Sequence, residues 1–295
     1  MADINKDELT GKPTTGHSWD GIQELNNPLP KWWLNVLYAC IAFSVLWWVL
    51  YPAIPWFTGH SKGVLGYNQR ADYAQQAAAA AAAQKVWIDK ISASTTDQIN
   101  ADAELLNFSM SGGKAVFNEN CAACHAPGGA GRPAFPVLAD DDWIWGGNLA
   151  AIEQTIRHGV RATTDDATRM NIMPNFGTDA VLTPEQIADV TAFVMSLSGE
   201  RSDAAAAATP ESIEGGKLVF AENCVACHGE QGKGNLELGA PNLTDSIWLY
   251  GGDAKTITAQ VTKPHHGVMP AWEGRLTDAQ IKMLAVYVHA LGGGQ

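Results

Sequence analysis

The chain has 295 residues and a formal net charge of -12 at pH 7, from 19 Lys and Arg against 31 Asp and Glu. The length accommodates two or three small domains. The acidic balance excludes nucleic acid, which demands basic patches; a basic protein partner suits such a surface better, because opposite fields speed encounter.

In chain order, residues 1–31 form a polar N-terminal segment, and Trp32 to Phe57 carry no charge. A bilayer core of about 30 Å needs about 20 apolar residues at about 1.5 Å rise each, so residues 32–57 are expected to be a single transmembrane anchor in contact with lipid. Trp32 and Trp33 mark one interface, and Trp47, Trp48 and Trp56 approach the other. Pro52 and Pro55 end the regular helix near Tyr51. Polar, partly acidic residues precede the span and no small-residue cleavage site follows it, which reads as an uncleaved anchor. Lysine and arginine counts on the two sides do not settle its orientation.

Residues 58–107 are an alanine-rich linker, with an unbroken alanine run at 77–83. Alanine is the best helix former, so one helix is expected from Tyr67 to about Asn107, with Val86, Trp87, Ile88 and Ile91 as its docking patch. A disordered spacer is the alternative near the alanine run.

The remainder is an internal repeat, expected as one domain over 108–200, a linker over 201–210 and a second domain over 211–295. Gly112-Gly113-Lys114-Ala115-Val116-Phe117-Asn118-Glu119-Asn120 matches Gly215-Gly216-Lys217-Leu218-Val219-Phe220-Ala221-Glu222-Asn223. Trp143-Ile144-Trp145-Gly146-Gly147 matches Trp248-Leu249-Tyr250-Gly251-Gly252, and His158-Gly159 and Met173-Pro174 match His266-Gly267 and Met269-Pro270. Each unit closes with an amphipathic helix opened by a capping box, at Thr183–Gln186 and Thr277–Gln280. The first unit carries about twelve extra residues, Arg161 to Ile172, between its His-Gly and its Met-Pro.

The glycine-glycine segments lead into Cys121-Ala122-Ala123-Cys124-His125 and Cys224-Val225-Ala226-Cys227-His228. A C-x-x-C-H string reads as covalent haem c attachment; a redox dithiol or half of a zinc site is the competing reading, and two copies in matched flanks favour haem. Two covalently bound haem c groups are therefore expected, on Cys121, Cys124, Cys224 and Cys227. The fifth cysteine, Cys40, is expected to pack within the anchor. Haem attachment of this type is completed outside the bacterial cytoplasm, which puts the residues beyond about 58 in the periplasm and the N-terminus in the cytoplasm.

An electron carrier needs two strong axial ligands on each iron, because an open position invites oxygen or peroxide. His125 and His228 supply one each; Met173 and Met269 are the best candidates for the other, each in a loop downstream of its histidine. Bis-histidine ligation through His158, His265 or His266 is the alternative. Sequence order leaves open whether each methionine serves its own unit or the other. Met195 and Met283 read as core, and Arg132, Arg157 and Arg161 as propionate partners or solvated surface.

With these parts in place, the chain resembles the CcoP/FixP subunit family of cbb3-type cytochrome c oxidases over nearly its whole length. The sharpest part of the likeness is His17-Ser18-Trp19-Asp20-Gly21-Ile22-Gln23-Glu24-Leu25-Asn26-Asn27-Pro28-Leu29-Pro30, which runs into the Trp-Trp of the anchor. The resemblance implies an all-α chain in the bacterial inner membrane, with one transmembrane helix and two tandem cytochrome c domains. It implies covalent sites at Cys121, Cys124, Cys224 and Cys227, and axial ligands at His125, Met173, His228 and Met269. It further implies a non-catalytic relay. Electrons would pass from a soluble periplasmic cytochrome c toward a mono-haem subunit and a haem–copper subunit that reduces oxygen and pumps protons. A free-standing, membrane-anchored dihaem shuttle is the competing function.

Overall fold

A computed structural model describes residues 6–198 and 208–292. It is mainly helical and divides into two compact units, Met1–Ala83 and Gln84–Gln295, each taken here by itself.

The first unit opens with a hairpin, β1 (Thr14–Trp19) against β2 (Ile22–Leu25), with Trp19 opposite Ile22 and Ser18 opposite Gln23. Asp20 and Gly21, at φ 50° and 83°, form the turn. Asp-Gly suits a two-residue turn that needs positive φ at both positions, and an all-α reading left no place for it. Helix α1 (Lys31–Leu50) follows Pro30 and ends at Tyr51, just before Pro52. Its 20 residues span about 30 Å, and no residue of it is buried within the chain. Its last carbonyls are not left bare: the Val64 and Leu65 amides return to donate to Val49 and Leu50 at 2.9 and 3.1 Å. A small hairpin, β3 (Pro55–Trp56) and β4 (Gly59–His60), makes that return possible. Cys40, expected to pack, is exposed on α1.

Helix α2 (Gln69–Ala93) runs through the alanine stretch, so the helix prevails over the spacer. It does not reach Asn107. Thr95 and Gln98 form a reciprocal capping box that starts α3 (Thr96–Ala101), and the Asp102 carboxylate caps α4 (Ala103–Asn120) by accepting from the Glu104 and Leu105 amides. Two caps in eight residues outweigh helix propensity there. Of the docking patch, Ile91 is fully buried and Trp87 and Ile88 pack beside Leu105 and Val286, while Val86 stays exposed.

The second unit continues with α5 (Ala122–His125), α6 (Leu149–His158), α7 (Pro184–Leu197), α8 (Pro210–Asn223), α9 (Val225–His228), α10 (Ala254–Thr262) and α11 (Asp278–His289). Residues 201–207 of the expected linker 201–210 lie outside the described residues. The division into 108–200 and 211–295 follows covalent order, but the packing runs across it. Helix α11, from the end of the chain, packs on α4 and α6, and α7, which closes the first repeat, packs on α8 and α10. One core joins Phe117, Ile152 and Ile156 to Ile281, Leu284 and Val288; the other joins Val219, Phe220 and Ile257 to Ile187, Val190 and Val194. The closing helices of the two repeats are exchanged.

The doubled Gly-Gly-Lys has its reason at these crossings. A Cβ on Gly113 would strike the Met283 carbonyl and lie 2.7 Å from Tyr287 Cβ; one on Gly216 would strike the Asp189 carbonyl and lie 2.8 Å from Phe193 Cβ. Phe193 and Tyr287 occupy the same place in the two closing helices. Equivalent surfaces let either helix fit either half, so sequence could not say which pairing the fold adopts.

Candidate haem centres

Each C-x-x-C-H motif is one helical turn set at the end of a longer helix. The Cys121 amide donates to Phe117 and that of His125 to Cys121, at 2.8 and 2.9 Å; Cys224 and His228 repeat this at 2.9 and 3.0 Å. One turn brings two thiols and an imidazole together, as covalent attachment with axial ligation requires. The next residue, Ala126 or Gly229, has positive φ (62° and 75°) and turns the chain back under the histidine. A loop carbonyl then meets the ring: His125 Nδ1 donates to Pro136 at 3.1 Å, and His228 Nδ1 to Pro241 at 3.1 Å. A carbonyl can only accept, so the proton sits on Nδ1 and the Nε2 lone pair is left for a metal. Burial pulls both imidazoles below the usual histidine range, against the carbonyl bond that raises them, and the rings are neutral at pH 7.

These prolines were not singled out from the sequence. The signal is there: Pro136-Val137-Leu138 matches Pro241-Asn242-Leu243, and the Leu138 and Leu243 amides donate to Gly129 and Gly232, both at 2.7 Å.

The competing motif readings fare worse. Burial, with the neighbouring thiol second, pushes Cys121 and Cys224 up to about 11, whereas a redox dithiol needs a depressed thiol. Among the described residues no group of three or more His, Cys, Asp or Glu gathers as a metal site.

Met269 packs against the core of Phe117 and Ile152, which also takes in Cys121, Ala122 and Trp143. It is pinned there by two main-chain bonds with Val160, each 3.0 Å. Gly159 (φ 70°) makes that approach possible, since a Cβ would strike the Met269 carbonyl. Met173 packs against the core of Phe220, beside Cys224, Val225 and Trp248. Met269 thus shares a core with the 121–125 motif, and Met173 with the 224–228 motif. Met195 and Met283 are buried in the cores, as expected, and Met170 is exposed.

Two of the rival histidines have other partners. His158 Nδ1 donates to Asp165 at 3.0 Å, holding that carboxyl below its ordinary range. The His265 main-chain amide donates to Gln260, and its ring lies beside Tyr250. His266 Nε2 is buried without a hydrogen-bond partner. Arg157 reaches Glu153, Glu273 and Asp278 at 2.7, 2.7 and 2.6 Å, fastening α6 to the exchanged α11. Arg161 and Arg169 are directed to main-chain carbonyls. Arg132 lines a cleft of ≈ 300 Å³ between the Pro136 loop and Ile247–Leu249. Asp140 and Asp142 line the same cleft, and burial, then Asp245 and Asp140, pushes Asp142 up to about 6.

A half-buried, neutral, carbonyl-held imidazole on a thiol-bearing turn is the donor set that haem c takes, and it is built twice in a helical fold. The class is that of the c-type cytochromes. Family models place it more closely: the N-terminal domain of cytochrome oxidase-cbb3, FixP, matches residues 11–58, cytochrome c matches 110–198, and the cbb3-type cytochrome c oxidase subunit III matches 211–288. Over the full length of both chains the protein is 50% identical to the cbb3-type cytochrome c oxidase subunit CcoP of Azospirillum brasilense and 50% identical to the FixP subunit of Sinorhizobium medicae. It is 47% identical to the CcoP subunit of Cereibacter sphaeroides across 96% of each chain. The chain belongs to the CcoP/FixP family of cbb3-type cytochrome c oxidase subunits.

Proposed function

We propose that the chain is the dihaem electron relay of a cbb3-type oxidase, with no oxygen chemistry of its own. The observation that supports this is that each histidine turn shares a core with a methionine loop from the other repeat. On this reading Cys121 and Cys124 would hold one haem, with His125 and Met269 as its iron ligands, and Cys224 and Cys227 would hold the other, with His228 and Met173. Each haem, when bound, supplies a one-electron iron couple. The protein's part is to keep Nε2 unprotonated, to seal the iron with a thioether that favours the reduced state, and to exclude water with the Phe117 and Phe220 cores.

The same reading puts α1 in the bacterial inner membrane with the N-terminus in the cytoplasm, because covalent haem attachment belongs to the periplasmic side. Electrons enter from a soluble periplasmic cytochrome c and leave toward the mono-haem and haem–copper subunits. The relatives, each named as a cbb3-type oxidase subunit, support this over a free-standing shuttle, as does the match across residues 11–58.

Two measurements test it. Met269→Leu should open the haem on Cys121 and Cys124 to carbon monoxide, and Met173→Leu the haem on Cys224 and Cys227, each with a lowered potential. The reverse pattern, Met269→Leu opening the haem on Cys224 and Cys227 and Met173→Leu the haem on Cys121 and Cys124, would refute the exchanged assignment. Gentle detergent extraction should recover the chain with haem b and copper; elution alone, free of both, would favour the shuttle.

A further inference from the structure

The insertion Arg161 to Ile172 has no counterpart in the second repeat, and its first residue bridges the two methionine loops. Arg161 adopts φ 52°, a conformation that costs a non-glycine residue energy. Its amide donates to the Arg169 carbonyl at 2.9 Å, closing the insertion on itself. The guanidinium then joins the far end of the insertion to a loop of the second repeat. Nε donates to the Gly267 carbonyl at 2.7 Å and Nη1 to the Asn171 carbonyl at 3.0 Å. Gly267 lies two residues before Met269, and Asn171 two residues before Met173. Both loops are held from further sides. The Gly267 amide donates to the Tyr250 hydroxyl at 3.1 Å, and the Asn171 side chain donates to the Leu238 carbonyl. Among the described residues no carboxylate forms an ion pair with Arg161.

We propose that Arg161 is a positioning residue for both haems: by holding the Gly267 and Asn171 carbonyls on one planar fork, it fixes the Met269 and Met173 loops against each other. This rests on the assignment of the two methionines as axial ligands. The physical basis is the guanidinium itself, which offers several donors in a rigid plane and forms charge-assisted bonds roughly twice as strong as neutral ones. The consequence is coupling: a disturbance of one methionine loop is felt at the other iron.

The test uses the full-length holoprotein with R161K, R161L, Met269→Leu and Met173→Leu. The readouts are the sulfur–iron charge-transfer band, the midpoint potential of each haem, and the rate of carbon monoxide binding to each reduced haem. Lysine keeps the charge but, as a compact ammonium, does not reproduce the fork. R161K should therefore weaken the band at both haems and speed carbon monoxide binding at both by on the order of tenfold, the effect of losing about one charge-assisted hydrogen bond. R161L should do more. A change at only one haem, as a propionate partner would give, overturns the proposal. So does full recovery of both haems in R161K, which would reduce the role to charge. If R161K leaves both haems unaltered while each methionine variant opens its own, the clamp fails and the ligand assignment stands. If the methionine variants leave the band intact, the assignment fails and takes the clamp with it.

Discussion

The side chains of the candidate centres separate into those with a sequence motif and those placed only by the fold. The two cysteine-histidine turns could be read from spacing alone, because one helical turn is enough to assemble them. The carbonyls of Pro136 and Pro241, which set the histidine tautomers, needed the second copy for comparison. The carboxylates around Asp142 had no signal at all, since Asp245 comes from the other repeat. That cluster makes a pH prediction. Asp142 is raised to about 6, by burial first and then by Asp245 and Asp140. A carboxyl whose folded pKa exceeds its unfolded value binds its proton more tightly when folded. Its contribution is therefore present below pH 4 and is lost as pH rises from about 4 to 6. Because the group is half-exposed, solvent screening cuts the loss to about 1 kcal/mol. D142N should flatten the urea-midpoint profile between pH 4 and 6 and stabilise the protein by about 1 kcal/mol at pH 7. An unchanged slope would show that Asp142 titrates normally.

At the scale of elements, most helices announce themselves through caps and apolar period. Thr183 and Thr277 open α7 and α11 as the sequence suggests, and the anchor stops at Tyr51 where the prolines require. Breaks were harder to see, because Thr95 and Asp102 interrupt a stretch whose average composition favours helix. The glycine pairs show what composition leaves unsaid. Gly112 and Gly113 are neighbours with different duties. A methyl on Gly112 would meet the Met283 sulfur at 2.7 Å, the mobile end of a flexible side chain, whereas on Gly113 it would meet main chain. Gly112→Ala should be nearly neutral, since relief of glycine's helix penalty, up to about 1 kcal/mol, offsets the adjustment of Met283. Gly113→Ala should cost about 1–3 kcal/mol, because α4 and α11 must separate. Equal costs in denaturant titrations would show that the crossing does not depend on Gly113.

For the whole molecule, the repeat was legible and its arrangement was not. Two matched units suggest two beads on a chain, whereas the packing interlocks them: α7 completes the core around Phe220, and α11 completes the core around Phe117. Contacts across the repeats bury Ile187, Val190 and Val194 on one side and Ile281, Leu284 and Val288 on the other, each contributing roughly 1.5–3 kcal/mol. Arg157 with Glu273 and Asp278, and Val160 with Met269, add polar ties between the same two stretches of chain. A cut between the repeats is therefore a cut in covalent order only. With a protease site placed between Ser198 and Ala208, the cleaved holoprotein should migrate as one species in detergent size exclusion and come apart only in denaturant. Its helicity and melting midpoint should change little, because association replaces connectivity. Two independent units, each closed by its own helix, would behave oppositely: the soluble C-terminal fragment would leave the anchored one as soon as the peptide bond was broken, with both cores intact. Separation under native conditions would thus refute the exchange, and with it the pairing of Met269 with the first histidine turn.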